Sequence, residues 1–421
     1  MQFVPRTSQV LAIDFRERKM LQRPLFDPTA PGFLQDPYPF YARLRAAEPW
    51  HLSPQGFYVV SRFEDVNFVM RDRRFGQNWI GPKINNADPK LLQKAIFRSI
   101  GQWMLKRDPP DHTRVRSCFA QAFTARRVDA MRAHIEAIAD KAVEDVRPRG
   151  RMDAVADFAL AIPLISITDL LGVPQEDRDL MFRVSRFVGR LSDPIPFDPG
   201  EIDRVDEDFR MVADYFEHLI EERRRRPGHD LVSQIVAAAE QERLSSEEMV
   251  GNLVLVFVAG HETTTNLIGN ALLALDRHPD QLRLLRDDPS LIPRAVTEFL
   301  RYDTSVQAAS RVALEDIEVG DMKLSKGAAV VALFGAANRD PAEFSNPDVL
   351  DVRRPETSLA SFGGGIHYCL GAQLSRIEVE CALKALFQRI PDFRLVDSAA
   401  VARHPSVVLR GPASLPAAWS V

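Results

Sequence analysis

The sequence predicts a mainly α-helical protein with a small β region. Three observations carry that expectation. Apolar residues recur at three- and four-residue spacing over several long stretches. One segment of roughly 30 residues starts on a helix-capping pattern and is apolar all round in its middle. The strand-like runs, by contrast, are short and separated by irregular chain.

Taken in order, the opening 60 or so residues are punctuated by Pro and Gly and hold one strand-like run, Phe57–Val60. From Asp111 to Arg147 the pattern is helical, with Val115, Phe119 and Phe123 four apart and Val128, Met131, Ile135, Ile138 and Ala142 following at three or four. Helical spacing resumes from Glu176 to Arg190. Ser192–Gly200, with three prolines and a glycine, reads as loop. The next helix carries Val205, Phe209, Val212, Phe216 and Leu219 on one face and stops near Pro227-Gly228. Its closing run Arg223–Arg226 is read as a solvated end that complements the helix dipole, not as a nucleic-acid patch. The longest helix starts at Ser245, where Ser245-x-x-Glu248 forms a capping box, and runs to about Arg277. Its central Leu253–Ala259 is apolar on every side, which predicts passage through the core. Ala328–Phe334 is strand-like, and a last amphipathic helix follows Cys369.

Composition narrows the function classes. The 421 residues fit one large unit spanning 1–421, and 45% hydrophobic with 27% charged is ordinary for a globular chain. A net charge of −4 argues against a nucleic-acid partner. The charged stretch Met1–Met20 does not resemble a signal peptide, and no run of about 18 apolar residues is expected to anchor the chain in a membrane. The three cysteines, Cys118, Cys369 and Cys381, cannot build a disulfide framework, so a reducing cytoplasm is expected.

The most informative segment is Phe362-Gly-Gly-Gly-Ile-His-Tyr-Cys-Leu-Gly371. Glycines allow close backbone approach to a flat partner. Cys369 sits just before a helix, whose unpaired N–H groups favour a thiolate. The string resembles the haem-binding signature of the cytochrome P-450 family, F-G-x-G-x-H-x-C-x-G, at every fixed position. Cys381 is read as a small core residue.

Ala259-Gly-His-Glu-Thr-Thr264 stands midway along the long helix. A glycine and consecutive threonines there predict a local distortion, and a buried Glu262 has no cheap structural reason to exist. His261-Glu262 begins like a zinc-binding H-E-x-x-H, but position 265 is Thr, so that reading fails. The segment resembles the family's oxygen-activating segment. The resemblance implies Glu262 as the proton-delivering acid, Thr263 as the hydroxyl that orients oxygen and water, and Ala259 and Gly260 as the close approach to the haem face.

Further positions follow from the same resemblance. Glu298-x-x-Arg301 matches a structural pair that braces the cysteine loop. Pro347-Asp348 is followed by Val349 where many relatives carry a third partner, leaving Arg353 or Arg354 to substitute. His112 and Arg116, together with Arg311 and His367, match positions that reach the haem propionates. Phe362, Gly363 and Gly371 complete the cofactor-binding set. Substrate contacts are implied at Trp79, Val258, Val306, Gln307 and Val407.

The resemblance implies a triangular helical prism holding heme b by the Cys369 thiolate. It implies a monooxygenase that uses O2 to hydroxylate or epoxidise an apolar small molecule, working as a monomer. Electrons would come from a ferredoxin and its NAD(P)H-dependent ferredoxin reductase, docking through Arg116, Arg126, Arg127 and Arg376. Two rivals are a peroxide-using peroxygenase, disfavoured by the Glu262-Thr263 pair, and a non-enzymatic haem protein that binds a ligand or gas.

Overall fold

The computed structural model describes residues 25–77, 93–181, 199–355 and 358–421. Helices dominate: α1 (Tyr38–Ala47), α2 (Phe63–Arg71), α3 (Ala95–Gln102), α4 (Asp111–Ala122), α5 (Ala125–Ala130), α6 (Arg132–Val146), α7 (Ala161–Leu171), α8 (Pro199–Arg225), α9 (Leu231–Glu242), α10 (Ser246–Arg277), α11 (Pro279–Asp287), α12 (Ile292–Tyr302), α13 (Phe334–Ala337) and α14 (Ala372–Arg389). The strands are short: β1 (Trp50–Leu52), β2 (Tyr58–Val60), β3 (Phe75–Gly76), β4 (Arg151–Asp153), β5 (Ala308–Ala313), β6 (Ile317–Val319), β7 (Met322–Leu324), β8 (Ala329–Leu333), β9 (Arg394–Leu395) and β10 (Pro416–Ala418). They form a five-stranded sheet ordered β1-β2-β8-β5-β3, a three-stranded sheet β4-β10-β9 and the hairpin β6-β7. The predicted strand at Phe57–Val60 is β2, which pairs parallel with β8, Tyr58 opposite Val330.

Helix α10 starts as the sequence predicts. The Ser245 hydroxyl accepts from Glu248 N–H and the Glu248 carboxylate accepts from Ser245 N–H, at 3.1 and 2.9 Å. Such caps contribute about 1 kcal/mol. Arg107 and Arg114 also donate to Glu248, each at 2.6 Å, and its carboxyl is held down at about 2, chiefly by Arg114. The start of α10 is thereby tied to α4, the helix that carries His112 and Arg116.

The helix then crosses both large apolar clusters. Met249–Val258 packs with α3, α4, α8 and α9, and Leu267–Leu275 packs with α6, α12 and α14. Ala259–Asn266 lies at the seam between them. A smaller cluster joins α1 to the five-stranded sheet through Phe33, Tyr38, Tyr41 and Leu333.

Several expectations change. The helical stretch from Asp111 divides into α4, α5 and α6, because Thr124 is extended (φ −72°, ψ 149°) and starts a new helix. Glu176–Arg190 lies only partly within the described residues. Pro199 and Gly200 belong to α8 instead of a loop, with the proline in the helix's first turn where its missing N–H costs nothing. The arginine run at the end of α8 is neutralised locally, Arg223 by Asp230 and Arg224 by Glu221. One window, Ala154–Leu171, is long and apolar enough to cross a membrane, contrary to expectation. It is 61% buried, and it splits into a π-helical turn (Ala154–Ala159) and α7, which packs against α10.

Candidate functional site

Between Glu248 and Leu275, only Ala259, Gly260, Glu262 and Thr263 of α10 are not buried. A core helix therefore has one opening, on consecutive turns of one face. The predicted distortion does not break the helix. Thr263 Oγ1 donates to Ala259 O at 3.1 Å and Thr265 Oγ1 to His261 O at 2.9 Å, so the hydroxyls back-bond within a continuous α-helix. Thr263 Oγ1 keeps its acceptor capacity while its proton is used within the helix. Gly260 answers a different need from the one expected. A Cβ there would stand 2.9 Å from Ile167 Cγ1, so its lack of a side chain lets α7 pack closely. His261 faces the core: its Nδ1 bonds Phe257 O at 2.9 Å, and burial holds its imidazole down at about 4.

The cysteine loop is built against α2 and α12. Gly363 (φ +68°) and Gly365 (φ +63°) occupy the left-handed region, and a Cβ on Gly365 would meet Met70 O at 2.8 Å. Asn338 Nδ2 donates to Ser361 Oγ, and Ser361 Oγ donates to Leu300 O on α12, both at 2.7 Å. Cys369 N–H returns to Phe362 O at 3.0 Å and closes the loop. Gly371 then caps α14. Cys369 has many protein atoms around it yet is reached by solvent. Burial pushes its thiol up, outweighing the Gly371 N–H and the Arg116 guanidinium, which pull it down. The helix-start N–H thus favours the thiolate, as the sequence suggests, and a bound metal ion would favour it further. Cys381 is buried in the core as expected.

The four propionate candidates come together. The His112 and His367 rings lie 4.3 Å apart, and Arg116 and Arg311 act on both. Neither His112 nitrogen has a hydrogen-bond partner, nor does His367 Nε2. Burial holds His112 down at about 4 and His367 at about 2, and pulls Arg311 down to about 10. Arg116 Nη2 donates to Tyr368 O at 2.5 Å, and Arg311 Nη1 to Ser310 O at 2.9 Å. Among the described residues neither arginine forms an ion pair with a carboxylate. Unpartnered imidazoles, one buried and one half-buried, beside two guanidiniums that form no ion pair fit a cofactor bearing carboxylates, so these residues suit a haem and its propionates.

The brace is complete, and Arg354 is the third partner. Arg301 donates to both Glu298 oxygens at 2.7 and 2.8 Å, and Arg354 Nε to Glu298 Oε2 at 3.0 Å. Arg301 also holds the carbonyls of Asn338, Pro347 and Val349.

Other predicted residues fall elsewhere. Gln307 Nε2 donates to Thr304 O at 2.7 Å and to Tyr38 Oη at 3.3 Å, which fixes the amide against the α1 packing. Val407 is buried in the same small cluster. Val258 is buried within the cluster around the first half of α10, and Val306 is half-buried, bridged to Leu409. Trp79 lies outside the described residues. Arg126 and Arg127 are exposed, whereas Arg376 bonds Thr297 Oγ1 at 2.7 Å and stacks over Phe362, so it is not a free docking cation. One buried residue of α14 escaped the sequence reading: Glu378, set within the apolar stripe of Leu374, Ile377 and Cys381.

Residues 49–395 match the cytochrome P450 family model. The chain belongs to the cytochrome P450 family. It is 38% identical to a putative cytochrome P450 133B1 of Xylella fastidiosa (strain 9a5c), over 92% of this chain and 96% of that protein. It is 37% identical to the cytochrome P450 monooxygenase PikC of Streptomyces venezuelae, over 94% of each. The fold superposes on P450BioI, solved in complex with an acyl carrier protein ligated to hexadec-9Z-enoic acid, with a TM-score of 0.87 and 33% identity over 92% of this chain and 99% of that one. The chain is a P450 enzyme with the fold of its family and of the monooxygenase class.

Proposed function

We propose that this P450 inserts one oxygen atom from O2 into an apolar small organic molecule, by hydroxylation or epoxidation, with electrons from an external protein donor. What supports this reading is an open, polar face on an otherwise buried helix, a solvent-reached cysteine just before α14, and unpartnered imidazoles beside Arg116 and Arg311. Heme b, when bound, supplies the oxygen activation, with Cys369 as its sulfur ligand. His112, Arg116, Arg311 and His367 would hold the propionates, and Phe362, Gly363 and Gly371 shape the loop around the cysteine. Thr263 offers a hydroxyl oxygen at the opening, and Glu262, one residue before it, is the acid that supplies protons. That pair supports the O2 route over direct use of peroxide. The whole chain, 1–421, serves as one haem-binding unit. The exposed Arg126 and Arg127 form the basic surface for an acidic ferredoxin, itself reduced by an NAD(P)H-dependent reductase.

The test starts from purified protein loaded with haem. The reduced, carbon-monoxide-bound spectrum should show the red-shifted band of sulfur ligation and lose it in Cys369→Ser. Glu262→Gln and Thr263→Ala should each lower coupled turnover by roughly a hundred-fold. Unchanged coupling in both variants would return the peroxide and ligand-binding rivals to contention.

A further inference from the structure

Glu378 of α14 is fully buried, and both of its carboxyl oxygens are out of reach of solvent. It lies where α7, α10 and α14 meet, and the polar side chains beside it are Thr264 of α10 and Ser166 of α7. Both of those hydroxyls already donate elsewhere, Thr264 to Ser375 Oγ at 3.0 Å and Ser166 to Ile162 O at 2.8 Å. Both hydroxyls still pull Glu378 toward its ionised form, and burial outweighs them. Among the described residues no cation or second carboxylate acts on Glu378. An ionised carboxylate here would be a buried charge without a counter-ion, a costly arrangement in a core. A neutral carboxylic acid avoids that uncompensated charge and can itself donate to a neighbouring hydroxyl. Burial raises its pKa well above the usual carboxylate range.

We propose that Glu378 is a positioning residue: it stays an uncharged acid and donates its O–H to Thr264 Oγ1. Thr264 follows Thr263 on α10, and its other hydrogen bond reaches Ser375, six residues past Cys369. Glu378 therefore clamps the opening of α10 to the helix that follows the cysteine loop and sets how Thr263 faces the cavity. The proposal rests on the reading above only for the use made of that opening. The protonation state and the clamp can be measured without turnover.

Infrared difference spectra of wild type against Glu378→Gln, taken across neutral pH, should show a protonated-carboxyl band that the substitution removes. Thr264→Val keeps the shape, removes the acceptor, and should shift that band to higher frequency. Hydrogen exchange across Ala259–Asn266 should rise about five-fold in Glu378→Leu and stay near wild type in Glu378→Gln, whose amide can still donate. A carboxylate signature in the wild type, or a band unmoved by Thr264→Val, overturns the proposal even if Glu378→Leu fails to fold. A protein lacking the sulfur-ligation spectrum but showing the protonated band would sink the haem reading and leave the clamp standing.

Discussion

Replacing Glu298 by Gln should unfold the brace beneath the cysteine loop. Neither Glu298 nor Arg301 reaches solvent, and the carboxylate accepts four hydrogen bonds: two from Arg301, one from Arg354 Nε and one from Asp351 N–H at 2.9 Å. Glutamine keeps a single acceptor oxygen and turns an N–H2 toward a guanidinium. At least two charge-assisted bonds are lost, each contributing about 1.5–3 kcal/mol, and two cations are left without their anion. Breaking a buried pair from one side costs about 3–5 kcal/mol, and solvent screening cannot soften that here. Arg354→Ala should cost less, about 1–2 kcal/mol, because Arg301 still balances Glu298. Urea unfolding of the three proteins, followed by circular dichroism, reads both values. A Glu298→Gln protein within about 1 kcal/mol of wild type, or an Arg354→Ala protein less stable than it, would refute the reasoning.

Three further outcomes follow from the same geometry. Gly365→Ala should destabilise by about 2 kcal/mol, because the new Cβ meets Met70 O at 2.8 Å in a left-handed backbone; thermal melts compared with Gly371→Ala, which meets nothing, isolate the effect. Arg311→Met should release haem to a scavenging protein roughly ten- to a hundred-fold faster, with no change in the fold by circular dichroism. Stability should fall on acidification from the ordinary imidazole range toward about 4. His261 stays neutral when folded until about 4, whereas the unfolded chain takes up its proton earlier, so the protonated side favours unfolding. One such histidine contributes on the order of 3 kcal/mol at most, and His261→Gln should flatten that slope in urea titrations at successive pH values.

What the sequence made legible was local, and what it hid was set by distant partners. Ser245 and Glu248 are three residues apart, so their reciprocal cap could be read directly. The left-handed turns of Gly363 and Gly365 belong to the same category, since the chain's own sterics demand glycine. Gln307 could not be placed that way. Its direction depends on Tyr38, 269 residues earlier, and an amide beside a strand looks the same whether it faces a cavity or a core. The choice of Arg354 over Arg353 is likewise a matter of which side of a turn meets α12. Arg376 read as a surface cation because charge is visible in sequence, whereas its bond to Thr297 is not. Glu378 was visible as an acid inside an apolar stripe, but a search for apolar spacing passes over the one residue that breaks it.

These misreadings share a physical origin with the site itself. A helix that feeds two apolar clusters would normally be apolar throughout, and α10 is so except at the seam, where Ala259–Asn266 brings small and polar side chains into the interior. Each of these residues must be satisfied locally or the helix would fail. Thr263 and Thr265 bond back to the helix, Gly260 makes room for Ile167, Thr264 reaches Ser375 on α14, and His261 turns to Phe257. What remains after that accounting is a face that presents acceptor oxygens to a cavity without weakening the helix behind it. The polar seam is tolerated because its hydrogen bonds close inward, and it can serve chemistry because hydroxyl oxygens whose protons are spent inward can still accept.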